Sequence, residues 1–432
     1  MRQLLIILFC FGGIAGSAQF KNIKLAEEAV DARGPLTASI AISLKDPNNI
    51  VAAIGQTGIR YTLDSGSTWN ESSAVSPFGI KGSPTVISDS KGHFYYFHTS
   101  GLGDEGTGKE GGVDRIVCQK SEDKGKTWSG GTFMGYSPPK NQDHPWATMH
   151  PKKQIIYTTW TQFDSYGLKD PSCHSNILFS ISTNAGGKWT KPIQLNQTPG
   201  DCMDDGKTTF SSMTAVAMDG RFFATWATGG IIFFDRSYDG GGTWLSNDLA
   251  MARGANAGVS NIPGIGRQKS RPVLMVNNSP SRTHGNLYIV HADQKNGEND
   301  TDIWFLRSVN RGDNWTAPIR INSDGPGKHQ FMPWMTVDQT TGYIYIVYYD
   351  RRAYDDLQTD VYLAYSTDGG NVFGETKISE TPFVPEASKP FSDYINVVAH
   401  SGVITPIWTR MDHGVKSVWT AVIKDEELIK SK

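Results

Sequence analysis

The stretch Ser121-Glu122-Asp123-Lys124-Gly125-Lys126-Thr127-Trp128 is one copy of a motif of the form Ser/Thr-x-Asp/Asn-x-Gly-x-x-Trp/Phe. An Asp or Asn side chain can bond backbone N–H groups two residues on and close a tight turn, and Gly can adopt the left-handed conformation that the turn requires. The aromatic residue can then anchor the turn in the core between two sheets. The motif therefore predicts a hairpin turn that is locked against a neighbouring sheet.

The motif occurs five more times at a nearly constant step. The Asp or Asn of these copies stands at Asp64, Asn184, Asp239, Asn310 and Asp368. Two strand-like segments precede each copy, as 145–150 and 155–160 do, and this pair of segments occurs seven times. Short strands in a repeating unit, joined by Gly-rich turns, are typical of β-propellers. The sequence predicts an all-β propeller of seven four-stranded blades, with six blades as the alternative if the first, shorter unit is incomplete.

The seventh unit lacks a fourth strand, because nothing after its segment 418–423 could serve as one. The N-terminal segment 22–26 resembles the fourth strands of other units, such as 192–196 and 318–322. We therefore expect the N-terminal strand to complete the last blade and close the ring, which leaves no sheet edge exposed.

The six motifs resemble the Asp-box, or BNR repeat, of the sialidase-like propellers, and the resemblance covers almost all of the chain beyond residue 18. It implies the propeller fold and no single activity. Sialidases, other glycosidases, polysaccharide-active enzymes and proteins without known chemistry share this fold. Function therefore has to be argued from the residues of a site.

The first residues predict where the protein works. Arg2, an apolar run at 4–15 and small residues at 16–18 are typical of a cleaved signal peptide, so we expect a secreted or periplasmic protein. The expected division of the chain is a signal peptide over 1–18, an Asp-box propeller domain over 19–424 and a polar tail over 425–432.

No other segment predicts a membrane span. Lys and Arg (41) nearly balance Asp and Glu (43) without a basic stripe, which argues against nucleic acid as a partner, and we expect a monomer.

Three cysteines remain beyond the predicted signal peptide. Cys173 and Cys202 stand in loop-like sequence and could form a disulfide in an oxidising compartment. Cys118 follows a strand pattern, and we expect it to be a buried thiol.

The direction of the strands predicts where a ligand would bind. Strands alternate in direction within a blade, and the first strand lies nearest the axis. The starts of the first strands and the ends of the second strands therefore share one end of the ring, here called the mouth, and the motif turns face the opposite end. The candidate substrate-binding residues at the mouth are Arg271, Arg351, Arg352, Arg410, His144, His329 and Asp350. Cations and acids around one opening suit an anionic or polyhydroxylated ligand such as a glycan.

The resemblance to sialidases adds candidate catalytic residues. Sialidases hold the substrate carboxylate with three arginines and use a tyrosine nucleophile, a partner glutamate and an aspartate acid/base. The segment around Tyr394 resembles the one that presents the nucleophile, with Glu386 as its nearest candidate partner and Asp143 as a candidate acid. Arg271 resembles the family arginine that precedes a proline, although it stands mid-chain rather than near the N-terminus.

Together these patterns favour a glycoside hydrolase of the sialidase (neuraminidase) type that removes a terminal sugar, which would be acidic if arginines bind its carboxylate. The alternatives are a non-catalytic glycan- or protein-binding propeller and a polysaccharide lyase that acts on a uronate. Three guanidinium groups that cannot reach one point near the axis would favour the binding protein. No short-spaced pair of histidines is present, so we expect no metal or other cofactor. Structural calcium in the oxygen-rich loops 201–205 and 299–302 is the alternative.

Overall fold

The computed structural model describes residues 20–29, 34–55, 58–101, 112–253, 259–269 and 271–429, so the predicted signal peptide lies outside the described residues. The first strand is β1 (Ile23–Glu27). Blade 1 comprises β2 (Ala38–Ile42), β3 (Ile50–Ile54), β4 (Gly58–Thr62) and β5 (Asn70–Ser72). Blade 2 comprises β6 (Gly82–Ser88), β7 (Phe94–Ser100), β8 (Arg115–Ser121) and β9 (Thr132–Met134). Blade 3 comprises β10 (Asn141–Met149), β11 (Ile156–Phe163), β12 (Ser175–Ser182) and β13 (Ile193–Gln194).

The second half of the ring contains one insertion. Blade 4 comprises β14 (Phe210–Val216), β15 (Phe222–Thr228), β16 (Ile231–Ser237) and β17 (Leu249–Arg253). A separate hairpin of β18 (Val259–Ile262) and β19 (Gly266–Lys269) follows it. Blade 5 comprises β20 (Val273–Val276), β21 (Leu287–Asp293), β22 (Asp302–Ser308) and β23 (Ile319–Arg320). Blade 6 comprises β24 (Gln330–Val337), β25 (Ile344–Asp350), β26 (Asp360–Ser366) and β27 (Gly374–Lys377).

Blade 7 joins the two ends of the chain. It comprises β28 (Asn396–His400), β29 (Val403–Asp412), β30 (Val415–Thr420) and β31 (Ile423–Lys424), where β31 continues β30 along β29. Its fourth strand is β1, which pairs antiparallel with β30 from Ile23 opposite Thr420 to Glu27 opposite Ser417. The prediction that the N-terminal strand closes the ring is confirmed, and the number of blades is seven rather than six.

The strands are apolar along their length because each blade packs against a neighbour on both faces. The second strands β7, β15, β21 and β25 are buried at every residue. Such strands carry continuous apolar runs instead of an alternation of apolar and polar residues.

The six motif turns share one hydrogen-bond pattern. In the second copy the Ser121 hydroxyl donates to Oδ1 of Asp123 (2.9 Å) and accepts the N–H of Gly125 (2.9 Å). Oδ1 of Asp123 accepts the N–H of Thr127, four residues on, at 2.9 Å. The expectation of a bond two residues on is therefore wrong, because the Ser hydroxyl already occupies the Gly N–H. Trp128 donates through Nε1 to the Ser72 hydroxyl of the preceding blade (3.2 Å), which confirms that it packs between two sheets.

The motif turns lie at the end of the ring where the first strand of each blade turns into the second. The Ala185 N–H of one motif turn bonds the Gln154 carbonyl in that connection (3.0 Å), and Ser65 bonds Asn48 in the same way (3.0 Å). The starts of the first strands therefore lie at the opposite end, as the strand directions predict.

Outside the blades, two features stabilise the ends and loops. Cys173 and Cys202 form a disulfide with a Cα–Cα distance of 5.7 Å, and Cys118 is a free, buried thiol, so both expectations are confirmed. The segment expected to be a polar tail contains α1 (Asp425–Ile429), which buries Leu428 and accepts the Tyr365 hydroxyl on the Leu428 carbonyl (2.9 Å). Among the described residues, no helix combines the length and the hydropathy that a membrane crossing needs.

Candidate functional site

Three aromatic side chains fill the axis of the ring. Trp146 in blade 3 and Trp334 in blade 6 have ring centroids 4.7 Å apart, and Tyr394 lies 5.3 Å from Trp334. All three residues are buried. Because residues of blades on opposite sides of a seven-bladed ring can meet only at its axis, these rings form the floor of the mouth.

Arg271 lies on this floor. Its guanidinium carbon is 4.3 Å from the centroid of the Tyr394 ring, which is a cation–π geometry. Nη2 donates to Nδ1 of His144 (2.9 Å), whereas Nη1 is buried and has no hydrogen-bond partner among the described residues. Burial lowers the pKa of Arg271, and the carboxylates of Asp393 and Asp143 oppose that effect. The side chain nevertheless stays charged, because an arginine does not lose its proton in a protein.

His144 connects Arg271 to Asp143. Because Nδ1 of His144 accepts the Arg271 proton, the imidazole proton is on Nε2, which lies 3.4 Å from Oδ2 of Asp143. Burial, followed by the charge of Arg271, lowers the pKa of His144 to about 3, so the ring is neutral at pH 7. Oδ1 of Asp143 accepts the Ser83 hydroxyl (3.0 Å) and the His144 N–H (2.7 Å), and its side chain is 30 % exposed.

A β-bulge at the start of the first strand places Asp143 and His144 at the mouth. The pairing of β10 with β11 shifts register between Asp143 and Trp146, and His144 has a φ of 50°. The first strands β6, β14 and β24 shift register at the equivalent place. The residues with positive φ in those bulges are Ser83, Ser211 and Met332. A bulge re-aims side chains at the end of a strand, and here it turns them towards the axis.

Tyr394 and Asp393 complete the floor from blade 7. The Tyr394 hydroxyl donates to the Pro84 carbonyl, and the side chain is buried. Burial is the main reason why the pKa of Tyr394 is raised, with Arg271 opposing it. Oδ2 of Asp393 accepts the Thr37 hydroxyl (3.1 Å).

The wall of the mouth over blades 3 and 4 was missed by the sequence analysis. The Tyr166 hydroxyl donates to Oδ2 of Asp204 (2.8 Å), and Lys269 pairs with the other carboxylate oxygen. Burial and Asp204 raise the pKa of Tyr166, and the charges of Asp143 and Asp393 contribute to the rise. These wall residues come from three separate connections and follow no motif. The one signal was the cysteine pair 173 and 202, since the disulfide joins the first two connections.

The remaining candidate arginines do not converge on Tyr394. Arg351 donates to the Thr359 hydroxyl (3.0 Å) and to the Pro263 carbonyl (2.8 Å). Arg352 is held by Asp350 (2.8 Å) and by Glu375 (2.7 Å) on the outermost strand of its blade. Arg410 is bound bidentately by Asp412 at 2.7 and 2.8 Å and lies over Trp419. Each guanidinium has its own partners, and Nη2 of Arg351 is in addition buried without one among the described residues. The structure therefore does not bring three arginines to one point near the axis.

The other predicted site residues also have separate surroundings. Glu386 lies beside Gly414 and Lys389 in the loops of blade 7, whereas Tyr394 contacts the axial rings. Nδ1 of His329 is 2.9 Å from the Thr301 hydroxyl, and burial and Arg351 lower its pKa to about 4. Asp350 is buried, and this burial raises its pKa against the opposing effect of Arg352.

The hairpin β18–β19 covers part of the mouth. Ile262 and Ile265 at its tip are buried in the main hydrophobic core. The tip contacts blade 6 and blade 7, because Pro263 accepts a bond from Arg351 and Gly264 lies against Leu357 and Pro385. Its other end bonds Asp204 through Arg267 and Lys269. The hairpin therefore crosses the mouth from the wall to the far rim, and it does not extend over blades 2 and 3.

The described ranges contain no group of three or more His, Cys, Asp or Glu side chains placed to hold a metal ion. In the oxygen-rich loop at 299–302, Oδ1 of Asp302 accepts a bond from the side-chain amide of Asn322 (2.6 Å).

Neither a protein-family model nor a curated protein sequence matches this chain. Solved propellers are similar in fold. A Hadza microbial sialidase is 12% identical with a TM-score of 0.50, and the match covers 87% of this chain and 73% of that one. A polysaccharide lyase of family PL25, an ulvan lyase, is 10% identical with a TM-score of 0.52 and coverages of 93% and 96%. An α-L-arabinofuranosidase from Fusarium graminearum is 12% identical with a TM-score of 0.50 and coverages of 96% and 100%. At these identities the likeness shows the seven-bladed fold.

Proposed function

We propose that this protein is a carbohydrate-active hydrolase that removes a terminal acidic sugar at the mouth. The observation that carries the proposal is the buried Nη1 of Arg271, which lacks a partner among the described residues and belongs to a guanidinium that bonds His144 next to Asp143. A buried guanidinium N–H without an acceptor is costly, and a carboxylate matches its fork. The three neighbours are named as a sialidase, an arabinofuranosidase and an ulvan lyase, and these names support a glycan as the ligand class.

Asp143 and Asp393 supply the two carboxyl groups that glycoside hydrolysis requires. Asp143 is the acid: its proton passes to the glycosidic oxygen as the bond to the anomeric carbon breaks. Asp393 is the base: it takes a proton from the water that adds to that carbon. Asp143 is 30 % exposed, which gives a substrate access to it. His144 positions Asp143, because its backbone N–H donates to Oδ1 of Asp143 and its ring lies next to that carboxylate while it accepts a bond from Arg271.

Tyr394 acts in this proposal as a positioning residue rather than as the nucleophile that the sialidase resemblance implies. Its hydroxyl is buried and donates to the Pro84 carbonyl, whereas its ring supports the guanidinium of Arg271. Because Arg351, Arg352 and Arg410 have separate partners, this proposal assigns the acidic sugar to Arg271 alone.

A second candidate is a propeller that binds an acidic glycan without cleaving it. The dispersal of the arginines favours this function, because a single carboxylate-binding group at the axis is enough for recognition. The predicted signal peptide over 1–18 and the disulfide between Cys173 and Cys202 support a secreted or periplasmic location for either function.

The test is a screen of the mature protein on acidic polysaccharides and on aryl glycosides of acidic sugars. Release of reducing ends without the ultraviolet absorbance of an unsaturated uronate is expected, and it should be lost in Asp143→Asn but retained in Asp46→Asn at the opposite end of the ring. Unsaturated products would identify a lyase instead. Binding without turnover would establish the second candidate, and the absence of both binding and turnover would overturn the proposal.

A further inference from the structure

The mouth face carries a strip of exposed apolar side chains over blades 2 and 3. The apolar strip consists of the exposed Val75, Phe133, Tyr136, Tyr166 and Leu168 together with the half-buried Phe78, whose ring contacts Phe133. Phe133 is 43% exposed, Tyr136 52% and Tyr166 53%. Exposed aromatic rings that cluster in this way mark a binding surface more often than scattered apolar residues do.

The aromatic part of the strip is rigid. The guanidinium of Arg115 lies 5.1 Å from the centroids of Phe78 and Phe133 and 4.3 Å from that of Tyr136. Asp114 holds the same guanidinium through two hydrogen bonds of 2.6 and 3.0 Å. The rings are therefore fixed in place before a ligand arrives, which lowers the entropy cost of binding.

The strip is continuous with the mouth. Phe78 and Tyr136 lie in connections that lead into the first strands β6 and β10, and these strands begin at the mouth. Tyr166 belongs both to the strip and to the wall of the mouth, because its side chain is exposed while its hydroxyl is bonded to Asp204. The hairpin β18–β19 covers the rim over blades 6 and 7, so the strip lies on the side of the mouth that this hairpin does not cover.

We infer that the apolar strip binds the sugars that follow the terminal residue of a glycan chain, so that the preferred substrate is a polysaccharide or long oligosaccharide rather than a single glycoside. This inference rests on the proposed function. The apolar faces of sugar rings stack on aromatic side chains, and the hydroxyls of Tyr136 and Tyr166 offer polar contacts at their edges. A chain whose end lies on Arg271 leaves the mouth over Tyr166 and then over Tyr136 and Phe133.

The experiment compares ligands of increasing length. Affinity electrophoresis with pectate, alginate, chondroitin sulfate and ulvan selects the polysaccharide that retards the protein most. Calorimetry then measures binding of its mono- to hexasaccharides. Wild type is expected to gain roughly tenfold in affinity between the shortest and the longest ligand, and the Phe133→Ala/Tyr136→Ala variant is expected to lose that gain while it keeps its affinity for the monosaccharide.

The matched control is Tyr238→Ala. Tyr238 is 54% exposed and also has a guanidinium, that of Arg236, 5.0 Å from its ring, but it lies in a motif turn at the opposite end of the ring. The Tyr238→Ala variant should keep the full gain in affinity with ligand length. If the double variant unfolds, Tyr136→Ala alone replaces it in the comparison. A flat length dependence in wild type, or an equal gain in the variant, overturns this inference and leaves the proposed function standing. If wild type binds none of the polysaccharides and no monosaccharide, the proposed function fails as well.

Discussion

Nη2 of Arg271 donates a hydrogen bond to Nδ1 of His144 at 2.9 Å, and this bond fixes the tautomer of the imidazole. The remaining ring proton is then on Nε2, which lies 3.4 Å from Oδ2 of Asp143. The neutral side chain of His144 thus links Arg271, which would bind an acidic sugar, to Asp143, which would act on that sugar. The placement of His144 and Asp143 depends on the bulge in β10.

Replacing Arg271 with Lys should separate charge from shape at this position. Arg271→Lys keeps a cation but loses the planar fork and the bond to His144, so affinity for an acidic monosaccharide should fall roughly 10- to 100-fold. Calorimetry with the acidic sugar measures the effect, and the neutral sugar of the same ring serves as the control ligand. An equal loss of affinity for the acidic and the neutral sugar would mean that Arg271 supports the floor of the mouth and does not bind the carboxylate of the sugar.

Tyr394→Phe tests the nucleophile directly. The variant keeps the ring beneath Arg271 and loses only the bond to the Pro84 carbonyl, so turnover should stay within a few-fold of wild type. The free energy of unfolding should fall by about 1 kcal/mol, which urea titration can measure. A loss of turnover of about a thousandfold or more would restore Tyr394 as the attacking group.

The disulfide should stabilise both the fold and the wall of the mouth. It closes a loop with a sequence separation of 29 residues, which corresponds to about 3–4 kcal/mol in the chain-entropy description. Cys173→Ser/Cys202→Ser should lose about that much in urea unfolding, and it should weaken ligand binding because Tyr166 and Asp204 are no longer tied together. Wild type in reductant should behave like the variant. A variant that still responds to reductant would point to a different reducible bond.

The glycines of the motif turns are expected to tolerate no side chain. Gly312 has a φ of +84°, and a Cβ there would lie 2.6 Å from the Phe234 ring of the preceding blade. Gly312→Ala should therefore cost roughly 2–5 kcal/mol of unfolding free energy. Gly325→Ala is the matched control, because nothing lies within 4 Å of its Cβ position, and it should change stability by less than about 0.5 kcal/mol. Equal costs at the two sites would contradict the close packing of blades at the motif turn.

Acid should destabilise the propeller through its buried neutral histidines. Burial lowers the pKa of His98 from 6.5 to about 4. As the pH falls below 6.5, His98 takes up a proton in the unfolded chain, whereas in the folded protein it stays neutral until about pH 4. The contribution of His98 to the free energy of unfolding is therefore fully present above pH 6.5 and is lost as the pH falls below that value. Between pH 7 and pH 5 this loss is about 2 kcal/mol for one such histidine.

The variant His98→Gln checks that origin. It is less stable at every pH, but the stability that it loses between pH 7 and pH 5 should be about 2 kcal/mol smaller than in wild type. Urea unfolding at the two pH values gives the comparison. The same pH dependence in both proteins would mean that His98 is protonated in the folded state.

The fold could be predicted from the sequence because its determinants are local and repeated. Each motif turn bonds within itself, as Ser121 does to Asp123 and Gly125, so six copies show the unit without any knowledge of its neighbours. The ring closure was also predictable, since the strand near Ile23 resembles the other fourth strands. The direction of the strands alone was enough to predict which end of the ring holds the candidate site.

The members of the site could not be predicted in the same way. Arg352 and Arg410 each have an aspartate two residues away that captures the guanidinium, and no pattern distinguishes this arrangement from a free arginine. Tyr166, Asp204 and Lys269 are distant in sequence and meet only because a disulfide and an inserted hairpin bring their connections together. Long-range contacts of this kind leave no periodic signal.

The pairing of β1 with β30 also sets an order of assembly. During synthesis the strand that leaves the ribosome first must wait for a partner that is made almost last, so six blades can form while the seventh still lacks an edge. Closure is then a contact between the most distant parts of the chain, which is the slowest kind to form. Until that moment the growing protein presents two unpaired sheet edges to its surroundings, which are sites where another chain could pair.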